Sequence, residues 1–237
     1  QTIYHAAAYK HVPIVEENPF EAVLNNVFGT LNTVKAAINS KVETFVFIST
    51  DKAVRPTNIM GATKRLAEIY IQHISLNSKT IFSITRFGNV IGSSGSVIPI
   101  FTKQIKNREA ITLTDKNIER YFMSIPEAVG LVLQSCIISN GGETFILNMG
   151  KPIKVYDLAK KMLKMFNLTI QDSSNPSGDI PIKIIGLQKG EKMFEELSIS
   201  NELVESTNSN ILIDNYIYPL NISLSEFINQ FNNLLYY

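Results

Sequence analysis

The residues best suited to chemistry lie in one short segment, Thr50-Asp51-Lys52, directly after the apolar run 45–48. Such a run is typical of a buried strand, and ligands of open α/β sheets bind beyond the carboxyl ends of the strands. A hydroxyl, a carboxylate and an ammonium placed there can donate a hydrogen bond, give a proton and take one. We therefore expect a small-molecule site with Thr50, Asp51 and Lys52 as catalytic candidates.

A second lysine, Lys64, follows on a predicted amphipathic helix at 61–73. Met60 precedes it by one helical turn and shares its face if the helix has already begun there. A free lysine has a pKa near 10.4 and is protonated at neutral pH. We expect desolvation and the neighbouring Lys64 cation to lower the pKa of Lys52, which would let it act as a base.

Strand-like and helix-length segments alternate along the chain, which is the pattern of an α/β fold with a parallel sheet. Predicted strands cover 3–6, 44–48, 81–86, 110–113, 144–148 and 182–185. One predicted helix starts at Asn18 and is about twenty residues long. The other predicted helices cover 61–73, 97–106, 124–138, 155–166 and 223–235. Loops follow the first and third strands, at 7–13 and 87–96.

Composition argues against several classes of function. The net charge is +1, which gives no basis for a nucleic-acid partner. The single cysteine, Cys136, excludes an internal disulfide and fits a reducing compartment. The histidines His5, His11 and His73 lack metal-ligand spacing, so we predict no metal. No apolar run is long enough to span a bilayer, and because the chain begins with Gln1 we expect it to be part of a longer protein.

Seven sequence blocks together resemble one family, the UDP-N-acetylglucosamine 4,6-dehydratases of bacterial polysaccharide biosynthesis, or CapD-like proteins. They belong to the extended short-chain dehydrogenase/reductase superfamily. The blocks are 5–13 (HAAAYKHVP), 49–54 (STDKAV), 61–65 (GATKR), 86–90 (RFGNV), 93–99 (SSGSVIP), 120–128 (RYFMSIPEA) and 190–192 (GEK). The resemblance runs from residue 1 to about residue 200 and is highly specific. Met60 stands where the superfamily has the tyrosine of Tyr-x-x-x-Lys, as in the longer family members with N-terminal membrane helices.

The resemblance implies a partial Rossmann fold, a doubly wound parallel sheet, with a small α/β substrate-binding domain. Residues 1–95 would be the second half of the Rossmann NAD(P)-binding domain, and 96–237 mainly the substrate-binding domain, with 124–150 returning to the Rossmann sheet. The glycine-rich dinucleotide fingerprint is absent from this chain, and a preceding front half would carry it. The resemblance also implies a cytoplasmic homo-oligomer, membrane-associated if the full-length protein carries N-terminal membrane helices.

The family reaction oxidises C4 of the sugar, eliminates water across C5–C6 and returns the hydride to C6, so it implies NAD or NADP as cofactor and a UDP-sugar as substrate. By resemblance, Lys52 is the candidate base for the C5 proton and Asp51 the acid for the C6 hydroxyl. Thr50 would donate a hydrogen bond to the C4 oxygen, and Lys64 would hold the nicotinamide ribose. Because Met60 cannot transfer a proton, Asp51, Lys52 or a water held by Thr50 must take the C4 hydroxyl proton.

Binding residues are carried over from the same blocks. Those for the cofactor are Ala6, Ala7, Ala8, Lys10, Asn26, Lys64 and Val90. Those for the substrate are Lys10, Asn89, Ser94, Gly95, Ser96, Val97, Arg120 and Glu191. Loop amides and the Arg120 guanidinium suit a diphosphate, and Glu191 suits a ribose hydroxyl. Gln188 and Lys189 replace the arginine and proline usual in the last block; Lys189 can restore the charge but not the bidentate geometry.

Two alternatives remain open. One is a nucleotide-sugar 4-epimerase or C5-inverting dehydratase of the same superfamily, although simple epimerases need no acid–base pair such as Asp51-Lys52 aimed at C5 and C6. The other is a non-catalytic truncated remnant. The absent cofactor fingerprint and Gln188 favour the remnant, whereas the unbroken catalytic blocks argue against it.

Overall fold

The structure is a computed structural model that describes residues 1–199 and 203–234. Its strands are β1 Thr2–His5, β2 Thr44–Thr50, β3 Ile81–Phe87, β4 Asn89–Val90, β5 Ile111–Leu113, β6 Glu119–Arg120, β7 Phe122–Met123, β8 Thr144–Leu147, β9 Ile153–Lys154, β10 Ile170–Gln171, β11 Ile180–Ile184, β12 Val204–Glu205 and β13 Ile211–Asp214. Its helices are α1 Val12–Glu17, α2 Pro19–Ala22, α3 Gly29–Asn39, α4 Ile59–Ser75, α5 Val97–Lys106, α6 Ile125–Ile138, α7 Val155–Met165 and α8 Leu224–Leu234.

The main sheet has six strands in the order β1-β2-β3-β8-β13-β12. The first four are parallel, whereas β13 and β12 join antiparallel. The predicted α/β class with a parallel sheet is therefore confirmed. The sequence does not predict the antiparallel edge, because β12 and β13 are only two and four residues long and lie between polar segments.

Both faces of the main sheet are covered. Along β2, Phe45 and Phe47 point into a core shared with α3, α4 and α8, while Val46 points into a second core shared with α6. This alternation follows from the two-residue period of a strand, and it makes β2 apolar on both sides. The buried β2 therefore fixes the place where Thr50 and Asp51 emerge.

A smaller layer lies beside the main sheet. Its three parallel strands have the order β10-β11-β5, and α5 and α7 pack on them through a third core that includes Phe101, Ile105, Ile111 and Leu163. The segment 124–150 contributes β8 to the main sheet. The later segment 204–214 contributes β12 and β13 to the same sheet. The division of the chain at residue 95 stays a prediction.

The helix predicted from Asn18 extends from Pro19 to Asn39, but Val23–Phe28 winds as a π-helix between α2 and α3. The sequence does not predict α1, which is six residues long with Pro13 in its first turn. The last predicted helix matches α8, except that Leu235 lies outside the described residues.

A buried ion network locks β3 to α4. Arg86 donates from Nε and Nη2 to the two carboxylate oxygens of Glu68, each at 2.7 Å, and Glu68 also accepts from Arg65. Arg86 lies 3.4 Å from Asp214 on β13. Bidentate pairs of this kind impose geometry as well as charge balance. The network fixes α4, which carries Lys64, to β3, which Asn89 follows after one residue.

Candidate functional site

Two cavities adjoin at the carboxyl ends of β2 and β3. The first, of about 330 Å³, lies between the β1–α1 segment, the start of α4 and the loop 87–96. The second, of about 350 Å³, lies between α5, β5, β6 and the segment 185–191. Asn89 and Ser96 line both cavities, so one extended ligand could occupy both.

The structure brings most of the predicted residues to these walls. The first cavity is lined by Ala6, Ala8, Lys10, Thr50, Lys52, Met60, Lys64, Asn89, Val90, Ser94, Gly95 and Ser96. The second is lined by Asn89, Ser96, Val97, Arg120 and Glu191. Three predicted residues are not on either wall: Asp51 and Asn26 are buried, and Ala7 is exposed but lines neither cavity.

Asp51 is the buried centre of the catalytic candidates, with no exposed surface. Its Oδ1 accepts hydrogen bonds from Thr50 Oγ1 at 2.8 Å and from Lys52 Nζ at 2.9 Å. Its Oδ2 has no hydrogen-bond partner among the described residues. Because a hydroxyl has a single proton to donate, Thr50 points that proton at Asp51 and keeps acceptor capacity for another group.

The expected direction of the Lys52 pKa is wrong. The pKa of Lys52 is raised: burial, the largest single effect, would lower it, but the negative charges of Asp51 and Glu195 together outweigh burial. The cation acting on Lys52 is Arg120, not Lys64 as the sequence suggests. In this state Lys52 is therefore an ammonium paired with Asp51.

Lys64 is the lysine whose pKa falls. Burial lowers it to about 8, and Glu68 only partly offsets this effect. The ammonium lies 3.9 Å from the centre of the Phe47 ring, which stabilises a cation without accepting a proton from it. Lys64 can therefore supply positive charge to the first cavity below about pH 8 and a neutral amine above it.

We expect this titration to be visible in solution. With lysines labelled at Cε, one resonance should titrate near pH 8 and disappear in Lys64→Arg, because burial favours the neutral amine. Nuclear magnetic resonance measures it without substrate. If the resonance lost in Lys64→Arg titrates above pH 10 in the wild-type protein, the assignment is wrong.

Asn26 holds the wall of the first cavity from behind. Its amide donates to the Tyr9 carbonyl and to Thr63 Oγ1, both at 3.0 Å, and its oxygen accepts from the Tyr9 backbone amide at 2.7 Å. These bonds tie the chain next to Lys10 to α4. The geometry favours a positioning role for Asn26, and its predicted contact with a cofactor stays a prediction.

The loop 93–96 closes over the first cavity against His11. Gly95 has φ +68°, and a Cβ there would lie 2.4 Å from His11 Cε1, so no other residue fits without a shift. Beside it, Ser96 Oγ is buried without a hydrogen-bond partner among the described residues. Protein atoms cover this hydroxyl, although Ser96 as a residue lines both cavities.

Arg120 and Glu191 face the second cavity as a pair. Arg120 Nη2 donates to Glu191 Oε1 at 3.0 Å, and Thr114 and the backbone amide of Gln188 also donate to Glu191. Gln188 lines the cavity. Lys189 instead pairs with Glu16 at 3.5 Å, so its charge does not replace that of the missing arginine.

Glu195 is a candidate that sequence reasoning misses. It is 8% exposed, and its Oε1 lies 3.9 Å from Lys52 Nζ and 4.0 Å from Arg120 Nε. Burial raises the pKa of Glu195, and the nearby Asp51 raises it further, against Lys52, Arg120 and Lys192. The only signal in the sequence is an acidic pair, Glu195-Glu196, just after the block 190–192.

Residues 1–199 and 203–234 contain no group of three or more His, Cys, Asp or Glu side chains that could hold a metal ion. None of their helices combines the length and apolarity needed to cross a membrane.

A parallel sheet with helices on both faces, and a lysine-bearing helix beside its carboxyl edge, define a Rossmann-like α/β protein. Within that class, the chain belongs to the family described as "Polysaccharide biosynthesis protein", whose pattern matches residues 1–215. The resemblance to CapD-like proteins of polysaccharide biosynthesis, drawn from the seven sequence blocks, is thereby confirmed.

The similar proteins include a polysaccharide biosynthesis protein and a nucleotide-sugar epimerase. The chain is 47% identical over 236 residues to the capsular polysaccharide biosynthesis protein CapD of Staphylococcus aureus, covering 97% of this chain and 38% of CapD. It is 38% identical to a UDP-glucose 4-epimerase of Rickettsia rickettsii, and the match covers 92% of this chain and 61% of the epimerase. The X-ray structure of Pen from Bacillus thuringiensis matches with a TM-score of 0.78 at 40% sequence identity. The match covers 98% of this chain and 75% of the Pen chain. The chain thus spans about two fifths of the length of CapD.

Proposed function

We propose that the complete protein containing this chain is an NAD- or NADP-dependent nucleotide-sugar 4,6-dehydratase. It would convert UDP-N-acetylglucosamine to the 4-keto-6-deoxy sugar for surface polysaccharide or glycan synthesis. The observation that carries the proposal is the hydrogen-bonded Thr50–Asp51–Lys52 cluster at the first cavity, which adjoins a second cavity lined by Arg120. The similarity to CapD supports the role in polysaccharide synthesis.

The first cavity fits the nicotinamide end of such a cofactor. Ala6 and Ala8 leave room for close approach, and the buried Lys64 offers a donor and positive charge to a ribose. The chemistry that a bound nicotinamide supplies is removal of a hydride from C4 and its return to C6. The second cavity suits the UDP moiety, because Arg120 lines it and can bind phosphate oxygens.

Proton movement follows the hydrogen bonds of the cluster. As the C4 hydroxyl is oxidised, Thr50 accepts its proton and passes its own to Asp51 Oδ1, with which it is already hydrogen-bonded. Asp51 is then a carboxylic acid and can give that proton back through Thr50, which lines the cavity, to the departing C6 hydroxyl, which leaves as water. Asp51 returns to the carboxylate, so no tyrosine is needed at Met60.

Lys52 takes the C5 proton in this scheme. Protonation of Asp51 removes one of the two negative charges that raise the pKa of Lys52, and burial then favours the neutral amine. The neutral amine accepts the proton from C5 and gives it back to C5 when the hydride returns to C6. The oxidation at C4 thus prepares the base for the elimination.

The direct test is the reaction of UDP-N-acetylglucosamine with the complete protein in D₂O. We expect a 4-keto-6-deoxy product carrying deuterium at C5, because the C5 proton passes through an exchangeable amine. A 4-epimer without deuterium would instead establish the epimerase alternative, which the Rickettsia relative keeps open. Absence of both products would favour the non-catalytic alternative.

A second prediction concerns this chain by itself. We expect UDP to perturb the amide resonances of residues 94–97 more than ADP-ribose does, because Ser96 and Val97 line the second cavity beside Arg120. Nuclear magnetic resonance titration of residues 1–237 measures it. Equal shifts with both ligands would argue against a UDP site at the second cavity.

A further inference from the structure

Lys52 requires a partner that removes its proton. Its ammonium is held at 2.9 Å by Asp51 and must become a neutral amine before it can accept the C5 proton. Asp51 cannot take that proton in the proposed scheme, because it receives the proton of the C4 hydroxyl. The requirement rests on the proposed function, whereas the candidate acceptor follows from geometry alone.

Glu195 is the second acidic group within ion-pair distance of Lys52. Its Oε1 lies 3.9 Å from Lys52 Nζ, and its Oε2 is buried without a hydrogen-bond partner among the described residues. A buried carboxylate oxygen without a partner is costly unless it gains a proton or a ligand. Asp51 Oδ2 is also buried without a partner among the described residues, but Asp51 already receives the C4 proton in the proposed scheme. Glu191 differs, since both of its oxygens are hydrogen-bonded.

The backbone around Glu195 is fixed against the Lys52 segment. The Gly190 carbonyl accepts from Thr57 Oγ1 at 2.8 Å and from Asn58 Nδ2 at 3.1 Å. Lys192 Nζ donates to the Val54 carbonyl at 2.8 Å. These contacts hold the segment 186–196 on the turn that follows β2, so the approach of Glu195 to Lys52 belongs to the fold.

We propose that Glu195 is the proton acceptor that converts Lys52 from an ammonium into the base for C5. When Asp51 is protonated, its hold on the Lys52 ammonium weakens, and a rotation of the lysine side chain closes the 3.9 Å gap to Glu195 Oε1. One N–H bond of Lys52 breaks and one O–H bond forms on Glu195. After C5 has been reprotonated, Glu195 returns its proton to Lys52, and both groups regain their initial charges.

The charges around Glu195 suit this exchange. Lys52 and Asp51 face it from the end of β2, Arg120 from β6, and Lys192 from its own segment. Before the reaction, burial and the Asp51 charge raise the pKa of Glu195 against the three cations, and the net effect is upward. Once Asp51 is protonated its contribution is lost, and burial, the largest effect, continues to favour the protonated carboxyl group. A raised pKa brings the carboxyl group closer to the pKa of a lysine, so a proton passes between the two more easily.

The test compares Glu195→Gln, which cannot take a proton, with Glu195→Asp, which keeps the carboxyl group. Glu196→Gln is the matched control, because Glu196 is adjacent but half-exposed and pairs with Arg55 and Lys192. In the complete protein we expect Glu195→Gln to lower kcat at pH 7 by about 10²-fold, with recovery as the pH rises and solvent deprotonates Lys52. Glu195→Asp should retain the wild-type pH profile, and thermal melting of each variant reports folding.

An activity-free measurement accompanies the kinetics. The pH dependence of Lys52 modification by an amine-selective reagent, followed by mass spectrometry, should shift to lower pH by about one unit in Glu195→Gln, because a nearby negative charge is lost. A folded Glu195→Gln protein with wild-type kcat at pH 7, a loss equal at every pH, or an unshifted modification curve would each overturn the inference. If the wild-type protein makes no dehydrated product but the curve shifts, the proposed function fails and the Lys52–Glu195 coupling stands.

Discussion

Formation of the 4-keto-6-deoxy sugar is expected to fall by about 10²–10⁴-fold when Lys52 is replaced by alanine. The same loss is expected for Asp51→Asn. Lys52 would handle the C5 proton and Asp51 the proton passed from C4 to C6, and neither replacement side chain can move a proton. The measurement is product formation by the complete protein, with deuterium uptake at C5 reporting the Lys52 step separately.

Met60→Leu is the matched control for these variants. Met60 lines the same cavity and is 4% exposed, but it cannot move a proton. Leucine is close to methionine in volume, so repacking should cost less than about 1.5 kcal/mol and leave most of the activity. Near wild-type turnover in Lys52→Ala would remove Lys52 from the mechanism. An inactive Met60→Leu protein would instead assign the thioether a direct role.

The sequence predicts those parts of the fold whose signal is local. Helix α5 covers Val97–Lys106 as predicted, because its apolar residues recur at helical spacing between two loops. Strand β2 is found because a run buried on both sides is apolar throughout. Helix α1 and strands β12 and β13 are missed because they are too short to carry a period, and packing against the rest of the fold stabilises them.

The candidate site shows the same limit in its electrostatics. The end of β2 fixes where Thr50, Asp51 and Lys52 emerge, and Thr50 and Lys52 line the first cavity. The pKa of Lys52 depends on Glu195, which is remote in sequence and reaches Lys52 only through the docking of 186–196. Considering only residues close in sequence therefore predicts a lowered pKa for Lys52. In the folded chain the lysine with the lowered pKa is Lys64.

Gly61→Ala is expected to disable the site without touching a catalytic group. A Cβ at Gly61 would lie 2.1 Å from the Lys52 carbonyl oxygen and 3.2 Å from Pro56 Cβ. Because the first of these atoms belongs to the backbone, α4 and the turn that carries Asp51 and Lys52 must move apart. A displacement of about 1 Å at reacting groups can cost about 10²-fold in rate, and we expect a loss of at least that size in product formation.

Gly130→Ala is the matched control. It separates the effect of the backbone clash at Gly61 from the general effect of replacing a helical glycine by alanine. Gly130 lies inside α6 with open space around its missing Cβ, so alanine there should stabilise the helix by about 0.5–1 kcal/mol and leave turnover unchanged. Gly61→Ala should also lower the melting temperature, since the contact it breaks joins α4 to the end of β2. Full activity in Gly61→Ala would mean that the turn can shift while the proton path from Thr50 through Asp51 stays intact. The geometry of the Lys52 carbonyl would then have no part in placing the catalytic groups.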